Sequence, residues 1–153
     1  MTLFADPSFF VLLAVAVVPA AALGLSGHTL RHYGLAVSMA FLACVFFKTP
    51  AQLVGLLAFL ALARLAVLVL ARDPKSTPRY AAAIAASLAP LVTYKVTAAI
   101  DLGLWGFVGI SYVTFKAVQV VIEVRDGLIA REDLGLEDWL YFLLFFPQFS
   151  SGP

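Results

Sequence analysis

Long apolar runs separated by short polar loops constrain this chain more than any other feature. Five stretches read as membrane-spanning helices: Phe9–Leu25, Tyr33–Phe47, Ala51–Ala71, Tyr80–Val96 and Leu104–Val124. A spanning α-helix needs about 20 largely apolar residues, with a range of roughly 17–25, so Tyr33–Phe47 is short for the task. The apolar residues cluster in runs and do not alternate or repeat amphipathically, which argues against a soluble domain of this length. Composition agrees: 63% of residues are hydrophobic and 12% charged, against about 45–50% and about 25% in soluble chains. The expected fold class is all-α, a polytopic transmembrane helical bundle, with residues 1–153 forming one transmembrane unit.

The breaks between runs carry recognisable signals. Pro19 is expected to kink the first helix. The stretch from Ser26 to His32 is a polar loop, and Lys48-Thr49-Pro50 ends the second run. Proline suits the first turn of a helix, because its missing N–H would be unpaired there anyway. Arg72 to Arg79 is the clearest loop, Pro90 weakens or kinks the fourth run, and Gly127 is placed to terminate the fifth. Residues 125–138 form the only extended charged segment. After it, residues 137–146 read as a half-helix, with Glu137 and Asp138 suited to a helix N-terminus. Its apolar part, Trp139–Phe146, is too short to cross a bilayer, and Pro147 is expected to stop it. A half-length apolar helix before a polar Gly/Pro stretch reads as re-entrant, since irregular backbone at membrane depth must be satisfied by protein or water.

Basic residues orient the spans. With the N-terminus outside, the inner loops hold Arg31, Arg72, Lys75, Arg79, Arg125 and Arg131, six in all, against Lys48 and Lys95 on the outer ends. This distribution follows the positive-inside rule and predicts a multi-pass protein of the cell membrane. No Lys or Arg precedes the first run, so it reads as a retained span and not a cleaved signal peptide.

The fifth run departs from a plain lipid-facing helix. Tyr112, Lys116, Gln119 and Glu123 recur at steps of four, three and four, which places them on one face. A lysine in mid-bilayer costs roughly 2.5–3.5 kcal/mol on insertion scales, so such a face turns toward other helices or a water-filled cavity. Lys116 and Glu123 lie about 10 Å apart along a helix axis, too far to pair, so each is expected to have its main partner on another helix. Ser111 and Thr114 add hydroxyls, and Gly103, Gly106 and Gly109 permit close helix approach. Two readings stay open: a structural polar seam, or the lining of a substrate path. Arg64, inside the third run, is expected to snorkel, to pair with Glu123 or Asp101, or to mark a pathway.

Other chemistries find little support. The net charge of +1 and the scattered basic residues give no case for nucleic acid. His28 and His32 have the spacing of a shared helix face, but with no carboxylate or thiol near them in sequence they read as solvated loop residues and not metal ligands. No cofactor motif, phosphate loop or nucleophile elbow occurs. Cys44 is the single cysteine and lies in an apolar run.

Three motif pieces in order and spacing carry a resemblance. Gly109-Ile110-Ser111-Tyr112-Val113-Thr114-Phe115-Lys116-Ala117-Val118, then Ile122-Glu123-Val124-Arg125-Asp126-Gly127, then Phe146-Pro147-Gln148-Phe149-Ser150-Ser151-Gly152-Pro153 resemble the membrane-bound O-acyltransferase family. The branch most resembled passes D-alanine to lipoteichoic acid; other relatives acetylate polysaccharides. The match covers about the last 45 residues, and the four earlier runs agree only in general hydropathy.

The resemblance implies a polytopic enzyme that moves an acyl group, D-alanyl or acetyl, onto hydroxyls of a cell-envelope polymer. It implies an acyl carrier protein as cytoplasmic donor and no cofactor. Ser111, Tyr112, Thr114 and Lys116 fall in one family motif and Pro147, Ser150, Ser151, Gly152 and Pro153 in another; together with Gln119 and Glu123 they are the expected tunnel-wall positions. The family pattern continues past this Gly-Pro and holds its essential histidine there, and His28 and His32 do not correspond to it. The chain is therefore expected to be an N-terminal fragment, without a catalytic residue of its own, completed by the remainder of the protein; the alternative at this point is a truncated, inactive product. The alternative is a small non-enzymatic polytopic membrane protein, a transporter piece or assembly subunit, whose polar stripe is a helix–helix seam.

Overall fold

A computed structural model describes residues 7–27, 30–47, 49–99, 107 and 109–145. Among them every regular element is helical: α1 (Pro7–Leu25), α2 (Arg31–Phe46), α3 (Pro50–Leu70), α4 (Thr77–Ala98), α5 (Ile110–Arg125) and α6 (Leu136–Leu144), with a 3₁₀ turn at Arg131–Asp133. The five expected runs and the half-helix correspond to six α-helices among the described residues, in the expected order.

The local signals set several boundaries. Pro50 is the first residue of α3, and Pro19 and Pro90 lie inside α1 and α4. Gly127 follows α5 at φ 76°. There the Leu128 N–H donates to the Glu123 carbonyl at 2.9 Å and the Gly127 N–H to the Val124 carbonyl at 3.3 Å. This pair of bonds is a Schellman ending, which satisfies carbonyls that a helix C-terminus leaves open.

Several boundaries differ from expectation, and α4 begins at Thr77, inside the expected Arg72–Arg79 loop, with Pro78 in its first turn. The fifth helix starts at Ile110, because Gly109 has φ 81° and stands in the left-handed region before it. A left-handed residue cannot continue a right-handed helix, so α5 begins after Gly109 and carries the polar face of the run, while residues 104–106 and 108 lie outside the described residues. The polar loop Ser26–His32 is also shorter than expected, since Arg31 and His32 already belong to α2.

The core is built from one face of each helix. α3 buries Leu56, Phe59, Leu60, Ala63, Val67 and Leu70, the three-and-four spacing of a helical stripe. α5 buries Val113, Thr114, Ala117, Val120, Val121 and Val124 and packs on α3, α4 and α6, so it occupies the centre. α4 contributes only Ala83 and Ser87 as fully buried residues. α6 adds Trp139, Leu143 and Leu144. α2 packs chiefly on α6, and α1 on α2, where the Tyr33 hydroxyl donates to the Ala16 carbonyl at 2.7 Å.

The outer faces are apolar. Val54, Leu57 and Leu65 of α3, Val92 and Val96 of α4, and Phe115 of α5 are all more than half exposed. By length and composition, α3 and α4 can each cross a membrane.

Candidate functional site

The site forms where the polar face of α5 meets α6. Helical spacing brings Tyr112, Lys116, Gln119 and Glu123 onto one side of α5. The opposite wall comes from Trp139 and Phe142 on α6.

Lys116 is the best-connected member. Its Nζ donates to the Phe142 carbonyl oxygen at 2.5 Å. The same atom lies 4.4 Å from the centre of the Phe142 ring and 4.9 Å from that of Tyr112. Both distances suit cation–π attraction, which strengthens as water is removed. The expectation that Lys116 finds its partner on another helix is met by a backbone carbonyl and an aromatic ring.

Glu123 behaves otherwise. Its Oε1 accepts a 2.8 Å bond from Gln119 Nε2 on the same helix, so a main partner on another helix is not what the described residues provide. Four residues separate the two, and side chains at that spacing are neighbours on a helix surface. Glu123 also borders a cavity of about 200 Å³ with Val120, Asp133, Leu134, Trp139 and Phe142. Trp139 is buried, and its Nε1 has no hydrogen-bond partner among the described residues.

The other predicted positions divide. Ser111 is half-buried at the start of α5. Thr114 is fully buried, and its hydroxyl is unpaired among the described residues; it lies in the core, off the polar stripe. Pro147, Ser150, Ser151, Gly152 and Pro153 fall outside the described residues, as do His28 and Asp101. Arg64 pairs with neither expected carboxylate in the described part: its Nη2 donates to the Leu134 carbonyl at 3.0 Å, tying α3 to the turn before α6.

Sequence reasoning missed a clasp at one end of the bundle. Arg31 Nη2 lies 2.5 Å from Glu137 Oε2, Arg31 Nη1 2.9 Å from Asp138 Oδ1, and His32 Nε2 3.0 Å from Glu137 Oε1. The two acids were legible as helix-N-terminal residues, but nothing local pointed to a partner more than a hundred positions earlier. At the same end, the Arg125 guanidinium stacks 5.0 Å over the Tyr80 ring and Arg79 pairs with Asp73 at 3.5 Å. Among the described residues no group of His, Cys, Asp and Glu converges as a metal site.

A helical bundle with apolar outer faces thus sets the short helix α6 against the polar-faced α5. Sequence comparison shows which proteins the chain is similar to. The chain is 35% identical over 164 aligned positions to the teichoic acid D-alanyltransferase of Bacillus subtilis, covering 100% of this chain and 41% of the relative. It is 31% identical to the enzyme of the same name from Lacticaseibacillus rhamnosus, covering 98% of this chain and 39% of the relative. A segment of 66 residues is 47% identical to that of Streptococcus thermophilus, covering 42% of this chain and 15% of the relative. No family model matches the chain. The chain is a homologue of the teichoic acid D-alanyltransferases and spans about two fifths of the length of those it matches from end to end.

Proposed function

We propose that these residues are part of a membrane-bound O-acyltransferase that transfers D-alanyl groups to hydroxyls of teichoic acid. The observation that carries this reading is the 35% identity across the whole chain to a teichoic acid D-alanyltransferase. It favours D-alanyl over acetyl as the group moved.

The membrane setting is part of the proposal. The apolar runs and the half-length α6 support five spans plus a re-entrant half-helix, N-terminus outside. The exposed Val, Leu and Phe side chains on α3, α4 and α5 form a surface that water disfavours and acyl chains accept. With that orientation the end bearing Arg31, Arg79 and Arg125 faces the cytoplasm, where an acyl carrier protein would deliver the donor.

In such a transfer the acceptor hydroxyl oxygen attacks the acyl carbonyl, the donor's bond to the acyl carbon breaks, and the hydroxyl proton passes to a base. The base belongs to the remainder of the protein. The α5 face, with Ser111, Tyr112, Gln119 and Glu123, contributes polar wall to the path, and the 146–153 motif completes it; these residues bind and orient, and none is assigned a bond-breaking step.

The test is genetic and chemical. The complete reading frame containing these residues is expressed in a Gram-positive strain deleted for its own teichoic acid D-alanyltransferase. Ester-linked D-alanine on purified teichoic acid should return, with no gain in ester-linked acetate. Acetate without D-alanine, or neither ester at normal protein levels, would sink the reading.

A further inference from the structure

Building on the acyltransferase reading, we propose that Lys116 is a positioning residue: it caps the C-terminus of α6 and sets where the chain leaves that helix, instead of presenting its ammonium to a substrate. The last four carbonyls of a helix have no donor within it. In α6, which ends at Leu144, Phe142 carries one of those carbonyls, and Lys116 supplies the missing donor from α5. A cation is favoured at this end of a helix, where the peptide dipoles leave partial negative charge.

Chain chemistry agrees on the same stopping point. Phe145 has already left helical geometry, at φ −58° and ψ 105°. Two positions on, Pro147 has no N–H to offer the Leu143 carbonyl, and a residue before proline is disfavoured in the α region. A helix due to stop there needs an external donor for Phe142, and Lys116 is the donor provided. With the carbonyl on one side and the rings of Tyr112 and Phe142 within 5 Å, the ammonium is occupied before any substrate arrives.

The inference bears on the proposed reaction through the 146–153 motif, which begins one residue after Phe145. If Lys116 fixes the end of α6, then guanidinium in its place should serve, because arginine also donates to carbonyls and stacks on rings. A thioether of similar length should not, since it donates nothing.

The experiment uses the complete protein in membranes, in a Cys44→Ala background, with reporter cysteines at the two ends of α6. Lys116→Met should change the maleimide labelling rate of Phe145→Cys by about fivefold or more and leave that of Leu136→Cys, exposed at the other end, within about twofold. Lys116→Arg should leave both rates unchanged. Without reporters, Lys116→Met should lower kcat for acyl transfer by about tenfold at unchanged KM, and Lys116→Arg should restore it. Transfer lost in both variants with unaltered labelling would show the ammonium acting on substrate and overturn the proposal. So would no change in either readout, or equal changes at both reporters, which would mark general unfolding. Absence of transfer by the unsubstituted protein would sink the acyltransferase reading alone, and the labelling rates would still decide the capping role.

Discussion

Gly34 lies directly beneath Tyr141: a Cβ added to Gly34 would come within 2.7 Å of Tyr141 Cε2 and 3.2 Å of its hydroxyl oxygen. This close approach lets α6 seat against α2. Gly34→Ala should therefore destabilise the protein by about 1–3 kcal/mol through overpacking, less up to about 1 kcal/mol returned by better helix propensity. Gly24→Ala is the control, because its Cβ would meet nothing nearer than 3.8 Å. Thermal unfolding in detergent should show the first variant lowered and the second unchanged or raised.

The contact of Arg31 with Glu137 and Asp138 pins the same pair of helices at one end. All three side chains are more than a third exposed or close to it, and exposed ion pairs contribute about 0.2–1 kcal/mol each. Arg31→Ala should thus cost only about 1 kcal/mol, and the cost should shrink between 50 mM and 500 mM salt as screening shortens the reach of charge. A salt-independent loss would mean that the Arg31 stem, and not its charge, holds α2 to α6.

Arg64 offers a sharper test, since its partner is a backbone carbonyl. Arg64→Met would leave the Leu134 carbonyl unpaired, at a cost of about 1–3 kcal/mol if no water replaces it. The local consequence should be faster protease cleavage within residues 126–135, measured against cleavage in the loop at residues 72–76. Equal rates before and after substitution would show that Arg64 does not hold this turn.

Thr114 separates packing from function. Its buried hydroxyl lacks a partner among the described residues, and an unpaired buried polar group is a liability that an apolar isostere removes. Thr114→Val should leave stability unchanged or raise it by about 1 kcal/mol. If acyl transfer by the complete protein falls while stability holds, the hydroxyl serves the substrate path; if both are unaffected, Thr114 is core.

Much of the architecture was legible because it is written locally. Pro50 begins α3 and Gly127 ends α5 for reasons contained in a proline's missing N–H and a glycine's missing Cβ. The four polar residues of α5 share a face because 3.6 residues make a turn. The run from Leu104 was less legible: hydropathy does not register one left-handed residue, so the start of α5 at Ile110 came from Gly109's backbone. The terminal motif that carried part of the resemblance lies outside the described residues, so its place against α5 rests on the proposal.

Composition and periodicities shorter than ten residues already dictate a helical chain, apolar outer faces on its helices, and one helix with a polar stripe. What the stripe meets depends instead on how the helices pack. Lys116 reaches the carbonyl of Phe142, 26 positions away, while Glu123 stays with Gln119 on its own helix. Arg64 meets Leu134 at a separation of 70, and Arg31 meets Glu137 at 106. Such pairings depend on how apolar faces pack to exclude gaps, and no local pattern encodes which face is brought against which.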